Sequence, residues 1–296
     1  MKIKYLFSIV LLFSVVFSAC KKEYEPIESV DEKIIQDYLK KNSLNATKDP
    51  SGFYYAVTKQ GTGELLKNTD SVLYRVAIKS AKTNATYYQS STIGNMADLV
   101  GYTSALFLQG YGQQISVEAI RTVLLKTNRG SEASIVLPSY LAFGKNGSTA
   151  LKVPENEVVV LVLTVLEEAT QASRDDRVIN EFLQKKGLTA TKTAANFYYI
   201  VLQEGTGERV REEHIAKVKY AGRIVDGEQF DSNSEGYETS TIGGDIPGWR
   251  KMLALMRVGE KVRVFIPSAL AYGGAGQGTI PPNTALDFDM EVVSVK

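Results

Sequence analysis

Cysteine is almost missing from this chain: 296 residues contain one, Cys20, so no disulfide can form within it. Histidine is equally scarce. His214 is alone, beside Glu212 and Glu213, and reads as part of a solvated charged stretch. A Ser-His-Asp triad or a His-based metal centre therefore has little to build on. Charge of one sign is lacking too, with 34 Lys and Arg against 33 Asp and Glu. No global electrostatic footprint for nucleic acid results. The Gly-dense stretch Gly273–Gly278 has no following Lys-Ser/Thr, which excludes a phosphate-cradling loop. Long apolar runs are limited to Tyr5–Phe17, too short for the ~20 residues of a membrane span. Neither a cofactor nor a metal is expected.

That run has another meaning. Lys2 and Lys4 precede it, and the small residues Ser18 and Ala19 follow, the pattern of an export signal over residues 1–19. Phe17-Ser18-Ala19-Cys20 resembles a bacterial lipobox, which implies cleavage before Cys20 and acylation there. Several acyl chains hold a protein to a membrane far more firmly than one. Residues 20–30 then read as a lipidated tether, and the expected location is the bacterial cell envelope.

The remainder is internally repeated. Residues 31–63 align without gaps on residues 175–207. Ile34, Ile35, Tyr38 and Leu39 match Val178, Ile179, Phe182 and Leu183 at helical spacing. Phe53-Tyr54-Tyr55 matches Phe197-Tyr198-Tyr199 as the start of a strand, and Gly-Thr-Gly closes both copies. Two domains are expected, 31–168 and 175–296. Near the end, Leu286, Phe288, Met290 and Val292 alternate with Asp287, Asp289 and Glu291, predicting a strand with one buried and one wet face.

From Val218 onward the second copy resembles the FKBP-type prolyl isomerases, motif after motif in order. The motifs are Val218-Lys219-Tyr220-Ala221-Gly222, Phe230-Asp231-Ser232, Ile246-Pro247-Gly248-Trp249, Ala271-Tyr272-Gly273 and Ile280-Pro281-Pro282-Asn283, before the final strand. The resemblance implies an α+β fold, two domains each with a curved antiparallel sheet wrapped around a short helix, and a short helix preceding each. It also implies a pocket walled by Tyr220, Phe230, Ile246, Ile280 and Phe288, with Trp249 as its floor. Tyr237 is the nearest candidate for a further aromatic wall. Asp231 and Tyr272 are the polar members, with Asp231 bonded to Tyr220. Tyr272 and the Ile280 backbone N–H are expected to donate to substrate carbonyls. The implied activity is cis/trans isomerisation of X–Pro bonds in exported proteins. The alternative is a noncatalytic tandem scaffold or chaperone that docks proline-containing partners. A monomer is expected.

Carried into the first copy, the same alignment pairs Tyr74 with Tyr220. It puts Gln89 at Asp231, Ile120 at Trp249, Phe143 at Tyr272 and Leu161 at Phe288. Both polar groups and the indole are lost, so this copy is expected to be inactive. An apolar insert lies between Tyr88 and Ile120. The strand Val158–Val165 is apolar on both faces, which predicts that the insert, the other domain or a partner covers its outer side.

Overall fold

The computed structural model describes residues 25–108, 113–239 and 245–296. Cys20 and the expected export signal lie outside the described residues. The first copy opens with α1 (Ile27–Lys41), followed by β1 (Thr47–Lys48), β2 (Tyr54–Lys59), β3 (Ser71–Ser80), β4 (Thr86–Gln89) and β5 (Met96–Leu99). The hairpin β6 (Ala105–Leu108) and β7 (Gln113–Ser116) precedes α2 (Glu118–Leu124), β8 (Glu132–Leu137) and β9 (Val159–Val165). The second copy runs α3 (Gln171–Lys186), β10 (Thr191–Lys192), β11 (Tyr198–Gln203), β12 (Ala216–Ile224), β13 (Gln229–Glu238), α4 (Pro247–Leu253), β14 (Lys261–Ile266) and β15 (Leu286–Val295).

The two sheets share one topology. Strand order is β1-β2-β8-β9-β3-β4 in the first, with β5 also on β3, and β10-β11-β14-β15-β12-β13 in the second. Every pairing is antiparallel. The inner face of each sheet packs on its short helix. Ile120, Val123 and Leu124 of α2 join the first core, and Trp249, Met252 and Leu253 of α4 join the second.

Local signals set the helix ends. Thr170 caps α3 by accepting from the Ser173 N–H, and the Ser173 hydroxyl lies within reach of the Thr170 N–H, a reciprocal capping box. Gly187 ends α3 in the left-handed conformation that glycine adopts without steric cost. Residues 169–173, between the two expected domains, thus include the cap and first turn of a helix. Pro247 begins α4 at a position where its missing N–H is harmless.

The outer faces correct two expectations. In the first copy Val160 is buried, not by the insert, the other copy or a partner, but by α1. Ile35 and Leu39 pack on Tyr54, Val136, Val158 and Val160 there. Burying each such aliphatic side chain contributes about 1.5–3 kcal/mol. In the second copy Asp287 does not face water, being only 1% exposed beneath α3. Its carboxylate accepts from Arg263 Nε and Nη2 at 2.9 and 2.6 Å and pairs with Arg223 at 3.4 Å. Alternation marks two faces but cannot say which of them a preceding helix will cover.

Both helices are pinned alike. The Asp31 carboxylate accepts from the Ser139 N–H and hydroxyl at 2.8 and 2.7 Å, and Asp175 does the same with Ser268 at 2.7 Å.

The edge beside the central strand is where the copies diverge. In the second copy β13 follows β12 along its length, with a register shift between Val218 and Tyr220. In the first, two strands share that edge: β4 pairs with Ala77–Lys79 and β5 with Ser71–Tyr74. The loop between them replaces the bulge. The insert turns inward, and its Val100, Leu106 and Leu108 are fully buried in the first core.

Candidate functional site

Eight of the nine pocket residues expected from sequence surround one cavity of about 230 Å3: Tyr220, Phe230, Asp231, Tyr237, Ile246, Trp249, Tyr272 and Phe288. Trp249, third residue of α4, is 5% exposed and forms the floor. Aromatic edges stand around its indole. Ring centroids of Tyr220, Phe288 and Tyr237 lie 4.9, 5.3 and 6.2 Å away at interplanar angles of 75–83°. Phe230 meets Phe288 edge-on at 5.6 Å. Edge-to-face contacts suit the ring quadrupoles and fix the walls against one another.

Backbone features place these rings. Gly222 lies directly under Phe288 and Phe230. A Cβ there would come within 2.5 Å of Phe288 and 2.9 Å of Phe230. Tyr237 reaches the pocket because of the β13 bulge. Asn233 Oδ1 accepts from the N–H groups of Glu235 and Gly236 at 3.0 and 2.9 Å, and Gly236 takes φ +98°. Tyr237 then re-enters the ladder opposite Val218.

The polar groups divide into engaged and unengaged. The Tyr220 hydroxyl donates to Asp231 Oδ2 at 2.6 Å, as expected, and Asp231 Oδ1 accepts from the Ser232 N–H. Burial, then that bond to Asp231, pushes the Tyr220 hydroxyl far above its usual range. Burial raises Tyr272 as well, assisted by the charges of Asp231 and Asp245. Both phenols are therefore protonated at neutral pH. No partner for the Tyr272 hydroxyl exists among the described residues.

Ile280 is the exception. It is buried in the core with Trp249 and Phe288, and it does not line the cavity. Its N–H already donates to Gln277 O at 2.8 Å in a reciprocal bridge that closes the preceding loop. The expected donation from that N–H to substrate is therefore corrected. The unengaged backbone donor on the lining is Ile246, the N-cap of α4, whose N–H has no acceptor among the described residues.

Sequence reading also missed Asp245. It lines the cavity and bonds to Tyr237, whose hydroxyl is raised by burial and then by this carboxylate. Its place next to Ile246 was the only available signal. Gly222 had a clearer one: an isolated glycine inside a strand marks a close approach. A larger cavity of about 380 Å3 lies behind α4, where Val210, Ala216, Pro247 and Leu253 stand beside Arg211, Glu212, Arg250 and Lys251, and no Phe, Tyr or Trp ring among the described residues lines it.

Ladder register corrects the equivalences in the first copy. Tyr74 pairs with Val165, as Val218 pairs with Val292, so Val76 stands where the second copy has Tyr220. Tyr88 opposes Ile78 as Asp231 opposes Gly222, so Tyr88, not Gln89, takes the aspartate's place. Ile78 itself replaces Gly222 and is fully buried. Its side chain occupies the space that the absent Cβ leaves to the aromatic walls of the second copy.

Residues 206–293 match the model of the FKBP-type peptidyl-prolyl cis-trans isomerase family. The macrophage infectivity potentiator of Trypanosoma cruzi is 35% identical over 151 residues, 47% of this chain and 76% of that protein. The chain belongs to the FKBP-type peptidyl-prolyl isomerase family. Another FKBP-type relative, FkpA of Aeromonas hydrophila, is 38% identical over 143 residues, 44% of this chain and 53% of that protein. The chain thus spans about half the length of that FkpA. The crystal structure of FkpA from Escherichia coli aligns at 32% identity and TM-score 0.38, covering 43% of this chain and 59% of that one. In FKBP terms, the matched residues include every lining residue of the 230 Å3 cavity.

Proposed function

We propose that this chain is a peptidyl-prolyl cis-trans isomerase that acts through the cavity of its second copy on X–Pro bonds of exported proteins. The observation that carries this reading is the composition of that cavity. Its rings form an apolar slot over the Trp249 indole, and two of its lining residues carry a donor with no acceptor among the described residues, the Tyr272 hydroxyl and the Ile246 N–H. About 230 Å3 lies below the roughly 300–1,000 Å3 of pockets that take drug-sized ligands, and suits a prolyl ring with its preceding amide.

The chemistry needs no nucleophile. Resonance gives the X–Pro C–N bond partial double-bond character and a rotation barrier of roughly 18–20 kcal/mol. An apolar slot destabilises the charge-separated resonance form and weakens that character. Tyr272 and Ile246 donate to substrate carbonyls on either side and hold the chain while the amide turns. Asp231, bonded to Tyr220, keeps the wall in place and faces the rotating carbonyl. Better binding of the twisted amide than of either planar isomer lowers the barrier directly.

The first copy, with Val76, Tyr88, Ile120, Phe143 and Leu161 at the pocket positions, is noncatalytic. Cys20 carries the lipid anchor, which holds the enzyme at the bacterial cell envelope as a monomer. The test is isomerisation of a proline-containing peptide by the full chain, beside Asp231→Val. Catalysis that falls sharply in the variant supports the reading. A folded full chain that binds such peptides without accelerating their isomerisation would move it to a proline-docking scaffold.

A further inference from the structure

The two copies meet at a built contact. The loop that splits the edge of the first sheet, residues 90–95, reaches Pro281, Pro282 and Asn283 of the second copy. Asn95 N–H donates to Pro282 O at 3.3 Å, and Asn283 Nδ2 donates to Asn95 O at 2.9 Å. Gln171 at the start of α3 closes the junction. It donates to Asn283 O at 3.1 Å and accepts from Asn95 Nδ2 at 2.9 Å. Gly94 touches the prolines so closely that a Cβ would lie 2.4 Å from Pro282 O and 2.9 Å from Pro281 Cβ.

The contact is anchored on both sides. Within the first copy, Arg75 Nε donates to Gly94 O at 2.9 Å, and the Ser91 hydroxyl accepts from the Ile93 N–H. Arg174 of α3, buried, donates to Ile93 O and pairs with Glu168 at 3.6 Å. Within the second copy, the contacted segment is linked to pocket-forming residues at two points. Ile280, just before Pro281, packs in the core with Trp249 and Phe288. Asn283 N–H donates to Gly273 O at 2.8 Å, and Gly273 follows Tyr272. Asn283 is also held at φ +54°, a conformation asparagine tolerates better than most residues.

We propose that the loop carrying Gly94 and Asn95 is a positioning element for the isomerase pocket: the first copy fixes the Pro281–Asn283 rim and, through it, the Tyr272 loop and the underside of the indole. This rests on the function proposed above. The first copy then serves the reaction in cis without touching substrate. Gly94 and Asn95 are positioning residues, and Gly94 is glycine because the second copy's prolines occupy the space of a side chain.

The experiment uses the full chain with Gly94→Val, Asn283→Asp and both together. Valine pushes the rim away. Aspartate keeps the shape and the left-handed backbone but removes the donor to Asn95. Two readouts are taken: kcat and KM for a proline peptide, and the emission and quenching of Trp249, the only tryptophan in the chain. Each single variant is expected to lower kcat/KM roughly ten-fold through misplacement of the rim, mostly in kcat. The double variant is expected to lose little more than either single one, because both break one contact. Trp249 quenching should rise in all three. Kinetics and quenching unchanged in Gly94→Val, in a chain that melts as wild type does, would overturn the proposal. Additive losses would overturn it too, since Asn283 would then act only within its own loop. If the wild-type chain proves inactive, the isomerase reading fails, yet the quenching still decides this proposal. Should Gly94→Val fail to fold, Asn283→Asp carries the same two readouts.

Discussion

The two copies are one fold with two interiors. Strand order, the carboxylate–serine pin on the leading helix and the short helix against the inner face recur in both. Where the second copy keeps Gly222 bare and stands aromatic rings around it, the first has Ile78, and its insert adds Val100, Leu106 and Leu108 to the core. A pocket is a place where a sheet declines to be filled. Filling it takes only a side chain at the glycine and smaller aliphatics at the walls. The outer faces differ in the opposite sense. Under α1 the first sheet presents Val160, whereas under α3 the second presents Asp287 clasped by Arg263 and Arg223.

Paired substitutions sharpen this contrast. The largest effect is expected at the floor. Trp249→Leu should lower kcat/KM about a hundred-fold, or ~2.7 kcal/mol of transition-state stabilisation, through loss of the floor under the prolyl ring. The matching change Ile120→Leu should leave it unaltered. A peptide isomerisation assay on the full chain decides, and an equal loss at Ile120 would place catalysis in the first copy as well. Next in size is the outer face. Arg263→Ser, which copies Ser134, should destabilise the second copy by about 2 kcal/mol, less than the loss of a wholly buried pair because Arg223 remains. Adding Asp287→Val, which copies Val160, should recover most of it. Urea unfolding followed by Trp249 emission reads the second copy alone, and no recovery in the double variant would break the comparison.

The smallest effect concerns protonation. Burial first, then the charges of Asp231 and Asp245, raises the Tyr272 hydroxyl above its usual value near 10. A raised phenol keeps its proton to higher pH, so its donor is present throughout the neutral range and is lost only above about pH 10. The kcat/KM profile should therefore show no tyrosine-linked decline below that point. Tyr272→Phe should cost up to about ten-fold, the scale of one hydrogen bond, while Phe143→Tyr in the first copy restores nothing. A decline near pH 8 that vanishes in Tyr272→Phe would contradict the assignment.

Much of the second copy's pocket was legible because its residues stand in compact motifs at fixed spacing. Trp249, Tyr272 and Phe288 each sit at a defined step on a helix, a turn and a strand. What misled was register. Val72-Leu73-Tyr74 matches Val218-Lys219-Tyr220 by letter, yet the ladder shifts Tyr74 by two residues, which keeps every side chain on its face and so leaves no trace in the alternation. The role given to the Ile280 N–H failed for a related reason. A string of residues does not reveal that a backbone donor is already spent on a carbonyl three positions earlier.

By itself, then, the sequence determined the repeat, the strand periods and the residue types that line the second copy's cavity, all of which are local in the chain. Tertiary structure alone decided which face α1 and α3 would cover, that Asp287 would be buried with two arginines, and that a loop of the first copy would seat itself against Pro281 and Pro282 of the second. Those outcomes depend on contacts between residues far apart in sequence, whose energies exist only once the sheets have closed around their helices.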